Sequence, residues 1–466
     1  MRVFIAQKYE LGERWDPMMV AYRRNLSHFK YQPVSLASLL ISPPQYGANE
    51  SGIKRISEQQ VRYIRITDIN DNGLLNNNLG ATVERINAKY ILNHNDLLFA
   101  RSGATVGKTF LYKKNLYNYP CLFAGYLIKF QLNPSIVIPD YLFIYTQLSS
   151  YKDWIIATQR AAAQPNINAE EYKSLQVPLP PLTVQNKIYE IYHFAVLNKQ
   201  KKEQEAKDLL ASIDDYLLSE LGIERPTLAR TENGRFFYTS FREIEGKRID
   251  PYYNHPYFKE AYNSLQKTPY PILKLGHLST LIASGTTPTS GGDDYTTKEN
   301  GIMFVRSGDI TNDCDIIDGD MLYITHECHN AKMRQSQLKS GDILIAIVGA
   351  TIGAVNIYNN DAEANINQAI ALVRLKRGIN NLFVTEQLRS SIGRLNLEHY
   401  KRPVARANIN LDEIAHMELI LPPLDIQDKI AENIQSIRAK AKQLQHEANE
   451  IMNNAKQKIE QMILGE

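Results

Sequence analysis

The segment Gly103-Ala104-Thr105-Val106-Gly107-Lys108-Thr109 has the residue types of a phosphate-binding loop, in which backbone N–H groups and a lysine hold nucleotide phosphates. Such a loop needs four residues between its two glycines, and this segment has three. A second copy, Gly349 to Val355, has no lysine. We therefore predict that each segment is a turn between two strands and not a nucleotide site.

Two further segments suggest methyl transfer or metal binding, but each lacks required residues. Ser42-Pro43-Pro44-Gln45-Tyr46 resembles the Asn/Asp-Pro-Pro-aromatic motif of amino-methyltransferases, without the leading Asn or Asp and with Gln45 before the aromatic residue. His326-Glu327-Cys328-His329 with Cys314 matches neither a zinc finger nor His-Glu-x-x-His. We predict no catalytic residue, no cofactor site and no metal site on this chain.

Basic and amide side chains at matching places in the two halves of the chain indicate DNA binding. Arginine and lysine neutralise phosphate, whereas arginine, glutamine and asparagine read base edges. The best-matched pairs are Arg65 with Arg306 and Arg160 with Arg402. For any single residue the alternative is an ordinary solvated side chain. The complete candidate set is Gln45, Tyr46, Lys54, Arg55, Arg65, Arg160, Gln164, Thr286, Thr287, Lys298, Arg306, Arg402 and Arg406.

The elements that position these residues occur twice. Residues 165–188 and 407–430 are identical at 11 of 24 positions, and three earlier blocks recur in the same order. The copies diverge most in residues 18–60 and 252–300. This is a tandem repeat of a long unit and not a short-period solenoid. Strand-like runs at 61–66, 96–100, 303–306 and 342–348 predict two mixed α+β heads on the same scaffold, with different loops.

Each copy ends in Leu-Pro-Pro-Leu and continues into a long, charged, heptad-like helix, with Thr183 and Asp425 expected as N-caps. Single helices this long and polar rarely stand alone, so we predict that the two pair antiparallel within the chain. The alternative is a pair of independent oligomerisation helices. The residues predicted to pair the helices are Ile188, Ile191, Leu209, Ile213, Ile430, Ile437, Leu444 and Ile451.

Composition sets wider bounds. At 466 residues, 44% hydrophobic and 22% charged, the chain has room for two globular cores. A net charge of +3 neither requires nor excludes nucleic acid. Three cysteines and the lack of a signal peptide or long apolar run predict a cytoplasmic protein.

The repeated Asn-Ile-Asn…Leu-Pro-Pro-Leu-x-x-Gln-x-Lys-Ile junction resembles the specificity subunit of Type I restriction–modification systems. The run 284–288 (SGTTP), followed by 304–310 (FVRSGDI), resembles the same family, and Gln45-Tyr46-Gly47 resembles another form of that loop. The resemblance covers essentially the whole chain. Two features depart from the family: Thr stands where a second Gly is common in 285–288, and the middle of the first long helix is unusually polar.

This resemblance implies an α+β fold with two similar target recognition domains joined by two long antiparallel coiled-coil helices, related by a pseudo-two-fold. The expected boundaries are 1–180 for the first head, 181–222 for the first helix, 223–240 for a linker, 241–421 for the second head and 422–466 for the second helix.

The resemblance further implies that each head reads one half of a bipartite double-stranded DNA site. The helices would set the spacer and dock two methyltransferase (modification) subunits. S-adenosylmethionine, and ATP with Mg on a restriction/translocase subunit, would be held by partners and not by this chain. The alternatives are a specificity module of a modification-only or fused restriction/methylation enzyme, and a coiled-coil adaptor that does not bind DNA.

Overall fold

The structure, a computed structural model, describes residues 17–26, 28–70, 72–159, 165–225, 237–245, 248–311, 321–349, 351–402 and 408–464. It divides into two compact units: unit 1 holds residues 1–204 and 444–466, and unit 2 holds residues 205–443. Each unit therefore contains one head and part of each long helix.

The described part of the first head has short strands in three sheets. The sheet orders are β2-β9-β6-β7, β3-β5-β4-β8 and β1-β10, and only β4 with β8 is a parallel pair. The strands are β1 (Pro33–Ser35), β2 (Gln45–Tyr46), β3 (Ile53–Lys54), β4 (Arg62–Ile64), β5 (Ala81–Thr82), β6 (Leu97–Ala100), β7 (Thr109–Leu111), β8 (Cys121–Phe123), β9 (Leu127–Phe130) and β10 (Gln176–Pro178).

The described strands of the second head repeat this topology one for one. Their orders are β12-β19-β16-β17, β13-β15-β14-β18 and β11-β20, again with one parallel pair, β14 with β18. The tandem repeat predicted from the sequence is therefore confirmed in the fold. The strands are β11 (Ile272–Lys274), β12 (Ser279–Ser284), β13 (Tyr295–Thr296), β14 (Ile302–Val305), β15 (Leu322–Ile324), β16 (Asp342–Ala346), β17 (Val355–Tyr358), β18 (Ala364–Ile366), β19 (Ile370–Leu375) and β20 (Glu418–Ile420).

Short helices pack beside these sheets, and two long helices follow the heads. The α-helices are α1 (Pro17–Leu26), α2 (Pro139–Tyr145), α3 (Ser149–Thr158), α4 (Ala169–Lys173), α5 (Leu182–Glu220), α6 (Phe241–Ile244), α7 (Pro256–Leu265), α8 (Leu275–Leu278), α9 (His326–Asn330), α10 (Asn381–Arg389), α11 (Ser391–Tyr400), α12 (Leu411–Ala415) and α13 (Leu424–Leu464). The 3₁₀ helices are Leu36–Leu39, Ile66–Asp68, Ala88–Tyr90, Gly103–Thr105, Lys114–Leu116, Lys298–Asn300, Ser307–Asp309 and Arg334–Ser336.

The central strand of each head contains an uninterrupted apolar run, 97–100 in β6 and 343–346 in β16, because both faces of the strand are covered. In β6, Leu97 and Phe99 join the core beneath the helices, and Leu98 and Ala100 join the core beneath the second sheet. Side chains on a strand alternate between faces, so an uninterrupted apolar run is the signature of a strand buried on both sides. β16 is buried in the same way at every residue.

The two glycine-rich segments are turns, as predicted. The first connects the antiparallel strands β6 and β7, and the second connects β16 and β17. Gly103 and Gly107 have φ of +77° and +89°, and Gly349 and Gly353 have φ of +87° and +88°. The glycines thus supply the left-handed backbone that this turn requires.

The second asparagine of each Asn-Ile-Asn motif starts a short helix. The Asn168 side chain accepts a hydrogen bond from the Glu171 N–H, and the Glu171 carboxylate accepts one from the Asn168 N–H, both at 2.9 Å. Asn410 and Glu413 make the same reciprocal pair at 2.7 and 2.9 Å. The isoleucine between the asparagines is buried in both copies. The motif is therefore a capping box on an apolar anchor.

The glutamine of the junction motif fastens each long helix to its head. Gln185 is fully buried, accepts from the Ile138 N–H at 2.8 Å and donates to the Pro180 carbonyl at 2.9 Å. Gln427 accepts from the Asn380 N–H at 3.0 Å and donates to the carbonyl of Pro422 at 2.8 Å. These bonds satisfy backbone groups that would otherwise be buried without partners.

The N-cap prediction for the long helices is wrong by two residues, because the N-caps are Pro181 and Pro423. α5 begins at Leu182 and α13 at Leu424, which places Thr183 and Asp425 inside the first turn. The reason is that the Pro181 carbonyl accepts from the N–H groups of residues 184 and 185, so the helix starts directly after the prolines. The equivalent proline of the second junction does the same.

We expect Gln185→Ala and Gln427→Ala each to lower the free energy of unfolding by about 1–3 kcal/mol, because each leaves buried backbone groups without hydrogen bonds. Urea titration of the full chain measures this. Gln200→Ala, at an exposed position of the same helix as Gln185, is the matched control and should change stability by less than about 0.5 kcal/mol. Equal effects at positions 185 and 200 would contradict the anchoring role.

In unit 1 the start of α5 packs against the end of α13. Ile188 and Tyr192 share a core cluster with Ile459 and Ile463. Lys202 forms an ion pair with Glu447. Glu460 also accepts from the backbone N–H and hydroxyl of Ser149, both at 2.6 Å, and so caps helix α3 of the head.

In unit 2 the end of α5 packs against the start of α13. The Asn433 amide donates to the Tyr216 hydroxyl at 2.7 Å, and Lys429 pairs with Glu220 at 3.7 Å. Residue numbers rise on one helix as they fall on the other, which confirms the predicted antiparallel pairing. Asp214 accepts from the Ser391 N–H at 2.8 Å and caps helix α11, as Glu460 does for α3 in unit 1.

The residues predicted to pair the helices have unequal burial. Ile188, Ile213, Ile430 and Leu444 are buried, whereas Ile191, Ile437 and Ile451 are partly buried against the core clusters. Leu209 is half-buried, and its neighbour Leu210 is the one that packs on the core. Each helix contacts its head as well as the other helix, which widens the apolar stripe and brings in residues that a heptad pattern omits, namely Tyr192, Leu217 and Leu218.

Candidate nucleic-acid interface

The segments that suggested other chemistry have structural partners. The Ser42 hydroxyl, three residues before the edge strand β2, donates to the Gln131 side chain at 2.8 Å. His329 is buried and hydrogen-bonded to Asn365 at 2.5 Å, and Cys328 is buried beside it. Among the described residues, which do not include Cys314, no group of three or more His, Cys, Asp or Glu could hold a metal ion.

The described helices include none that is both long and apolar enough to cross a membrane.

In the first head, Gln45 and Tyr46 form the edge strand β2, paired with β9. The Gln45 amide donates to the Lys89 carbonyl at 3.1 Å. The Tyr46 hydroxyl accepts from the Ala169 N–H at 3.1 Å, which fixes its ring while 40% of the residue remains exposed. Lys54, on β3, is exposed.

Arg55 is a correction to the candidate set. It is 1% exposed, and its guanidinium donates to the carbonyls of Glu58, Gln60 and Leu79 at 2.6 to 3.0 Å. It also stacks on the ring of Tyr119 with its guanidinium carbon 3.9 Å from the ring centroid. An arginine engaged on all sides holds its own loop together and has no surface to offer DNA, so we remove it from the proposed interface.

Arg65 and Arg306 occupy the same position in the two heads and have the same bonds. Arg65 donates through its side chain to both carboxylate oxygens of Asp68, at 3.0 and 3.1 Å. Arg306 does the same to Asp309, at 3.0 and 2.9 Å. Their side chains are 44% and 36% exposed. Each arginine thus stabilises a 3₁₀ turn with part of its charge neutralised, and one edge of the guanidinium remains at the surface.

Gly47 and Gly285 show that the loops after β2 and β12 are equivalent. A Cβ on Gly47 would lie 2.3 Å from the Ala124 carbonyl oxygen, and one on Gly285 would lie 1.6 Å from that of Ile366. Only glycine allows so close an approach of two backbones. Thr286 and Thr287 follow Gly285 and are exposed, as is Lys298 further along.

Arg402 follows helix α11 of the second head, and its guanidinium is held by the Glu413 carboxylate. Its Nη2 donates to Glu413 Oε1 at 3.0 Å, and Arg248 donates to the same oxygen at 3.3 Å. Glu413 is 8% exposed in its side chain and Arg402 is 40% exposed. The buried carboxylate therefore fixes an exposed guanidinium. Arg160 and Gln164, the counterparts in the first head, and Arg406 lie outside the described residues.

Two residues of the first head, the partly exposed Arg101 and the exposed Tyr126, are absent from the candidate set predicted from the sequence. Arg101 follows strand β6, and its guanidinium carbon lies 5.0 Å from the Tyr46 ring centroid. Tyr126, in the turn before β9, is 61% exposed. An isolated arginine beside a strand and a tyrosine in a turn have no sequence signal of their own. What identifies them is their contact with residues that are distant in the sequence and close in the fold.

A family model described as "Type I restriction modification DNA specificity domain" matches residues 50–207 and again residues 269–461. Among characterised proteins, the Type I restriction enzyme MjaVIII specificity subunit of Methanocaldococcus jannaschii is 21% identical in an alignment of 406 residues that covers 82% of this chain and 81% of that protein.

A solved structure with a similar fold also comes from a Type I system. One chain, from work on complex assembly and conformational transition of the type I R-M system, gives a TM-score of 0.54 at 16% identity, covering 93% of this chain and 96% of that chain. At 16% identity, this structural similarity shows a shared fold and nothing further. The HsdS subunit from Thermoanaerobacter tengcongensis gives a TM-score of 0.38 at 15% identity, with coverage of 93% and 97%.

Proposed function

The chain belongs to the Type I restriction modification DNA specificity domain family, and from this we propose that it is the sequence-specific DNA-binding subunit of a Type I restriction–modification complex. The observation that carries the proposal is the double match of the family model. Each match covers most of one head and its long helix, and the two heads share one strand order while their surface residues differ.

Two heads with one scaffold and different surfaces suit the recognition of two different DNA half-sites. We propose that each head reads one half-site through exposed and partly exposed residues of its edge strands and loops. In the first head these are Gln45, Tyr46, Lys54 and Arg65; in the second they are Thr286, Thr287, Lys298, Arg306 and Arg402. Arg160, Gln164 and Arg406 remain candidates on sequence grounds.

The long helices serve two further roles in this proposal. They set the spacing between the half-sites, and they dock two methyltransferase subunits. Those partners would bind S-adenosylmethionine and methylate adenine, and a restriction/translocase subunit would bind ATP and Mg. The chain itself would act in the cytoplasm. It would determine which DNA sequence the complex recognises and would catalyse no step.

Reconstitution tests this division of labour. The purified chain, mixed with S-adenosylmethionine and mixed-sequence DNA, should transfer no methyl groups. The same mixture with the modification subunit added should methylate DNA at a defined sequence. Methyl transfer by the chain alone, lost when the Ser42–Tyr46 segment is changed, would contradict the proposal and favour a fused enzyme.

A further inference from the structure

Three equivalent positions differ sharply between the two heads, and backbone hydrogen bonds identify them. In the first head the Arg101 N–H donates to the Tyr126 carbonyl at 2.9 Å, and its carbonyl accepts from the Ile167 N–H at 2.8 Å. In the second head Ile347 makes the same two bonds, to Ala369 at 2.9 Å and from Ile409 at 3.0 Å. Arg101 therefore corresponds to Ile347, and Tyr126 to Ala369.

The third position is Tyr46, which corresponds to Ser284. Tyr46 pairs with Ile128 on β9, and Ser284 pairs with Ala371 on β19. One residue before these partners, Leu127 pairs with the end of β6 and its counterpart pairs with the end of β16. The first head thus has tyrosine, arginine and tyrosine where the second has serine, isoleucine and alanine.

The partly exposed Arg101 side chain is held by contacts that use its Nε and its guanidinium face and leave its two terminal nitrogens available. Its Nε donates to the Asn166 side chain at 3.4 Å, and the guanidinium lies over the Tyr46 ring. Among the described residues, its two terminal nitrogens have no hydrogen-bond partner and no carboxylate pairs with it. A guanidinium fixed over an aromatic ring with its outer edge unused is pre-organised for an acceptor that comes from outside the chain.

The residues around Arg101 are of types that contact nucleic acids. Asn166 belongs to the Asn-Ile-Asn motif, and the candidates Arg160 and Gln164 precede it in the sequence, outside the described residues. Tyr46 and Tyr126 add large aromatic side chains that are 40% and 61% exposed. Single exposed aromatics are common. Here the Tyr46 ring lies against the Arg101 guanidinium, and the Tyr126 backbone is hydrogen-bonded to that of Arg101, so the three residues lie together on one part of the head.

We propose that Tyr46, Arg101 and Tyr126 form a DNA-contact cluster that only the first head has, with Arg101 donating its terminal N–H groups to a pair of oxygen or nitrogen acceptors. This rests on the proposed function. Guanine O6/N7 and two phosphate oxygens both present such a pair. The cluster makes the first head chemically unlike the second at the same point of the scaffold, so it contributes to the binding of the first half-site alone.

The test uses the chain with its modification subunit and a duplex carrying the site that the complex methylates. Arg101→Ala should weaken binding roughly 5- to 150-fold, the range for loss of one good arginine contact. Lys114→Ala is the matched control, because Lys114 is an exposed cation of the same head that follows β7, at the other end of the β6–β7 hairpin. It should change affinity less than about twofold, as a surface charge outside the contact does.

Duplexes with single substitutions, and a salt titration, distinguish the two acceptors. For a guanine, Arg101→Ala loses discrimination at one base pair of the first half-site, and Arg101→Lys does not restore it. For phosphate, the loss is uniform across sequences, the salt slope falls by about one, and Arg101→Lys restores most of the affinity.

Tyr126→Ala is a second variant, which removes an exposed ring. It should weaken binding to the same first half-site. Parental binding by both Arg101→Ala and Tyr126→Ala, or an altered second half-site, would overturn the cluster. Failure of the parental complex to bind DNA specifically would instead overturn the proposed function.

Discussion

Replacement of residues 1–160 by the corresponding segment of another specificity subunit will change one half of the recognised DNA sequence and leave the other half unchanged. The heads have separate sheets and separate cores, so the first can be exchanged without altering the second. Each mismatched base pair costs about 1–3 kcal/mol, so the loss of three contacts should weaken binding to the parental site by roughly 10²-fold or more.

The exchange point has a structural basis. It precedes the Asn168 capping box and the Gln185 anchor, so the native connection between head and helix is kept. The incoming head must still pack on the end of α13, where Ile459 and Ile463 contribute to the core of unit 1. The reciprocal exchange of residues 241–402 is the control and should alter only the other half-site. A change in both half-sites after either exchange would mean that the heads do not read DNA separately.

Insertion of four residues into each long helix will lengthen the tolerated DNA spacer by one to two base pairs while both half-sites stay the same. Four helical residues add about 6 Å, and B-DNA rises about 3.4 Å per base pair. The insertions belong between Gln204 and Glu205 on α5 and between Gln443 and Leu444 on α13, where the two units divide. Coiled coils accommodate four added residues by local unwinding, so the seam on either side can persist.

A matched control places the same four residues between Arg230 and Thr231, in the segment predicted from the sequence to be a linker. That insertion should leave the spacer unchanged. Both variants are assayed by methylation of a library of duplexes in which the two half-sites are separated by increasing numbers of base pairs. An unchanged spacer in a folded helix-insertion variant would mean that partner subunits, and not the helices, set the distance.

Repeated patterns made most of the architecture predictable. The duplicated blocks predicted two heads of one scaffold, and the apolar runs at 96–100 and 342–348 predicted the central strands β6 and β16. These signals are local and occur twice, so a chance pattern in one copy is tested by the other. The N-caps of the long helices lie two residues before the predicted Thr183 and Asp425, because the Pro181 carbonyl can begin the helix itself and no side-chain cap is needed there.

The individual interface residues were harder to predict because their roles depend on partners far away in the sequence. Arg55 belongs to a residue type that is seldom buried, yet carbonyls from three positions up to Leu79 surround it. Arg101 is a candidate because Tyr46 and Asn166 lie beside it in the fold, and the sequence does not indicate this proximity. The junction glutamine was recognisable as part of a motif, but its function as an anchor between Ile138 and the prolines required the fold.

In the proposed function, this chain directs a separate catalytic subunit to a DNA sequence made of two parts. Sequencing the methylated positions of the genome in cells that express the chain together with its modification subunit tests it most directly. The expected result is adenine methylation at one asymmetric motif made of two short specific parts separated by a fixed, unspecific spacer, and no such methylation when either protein is expressed alone. A single uninterrupted motif, or methylation that persists without the modification subunit, would contradict it.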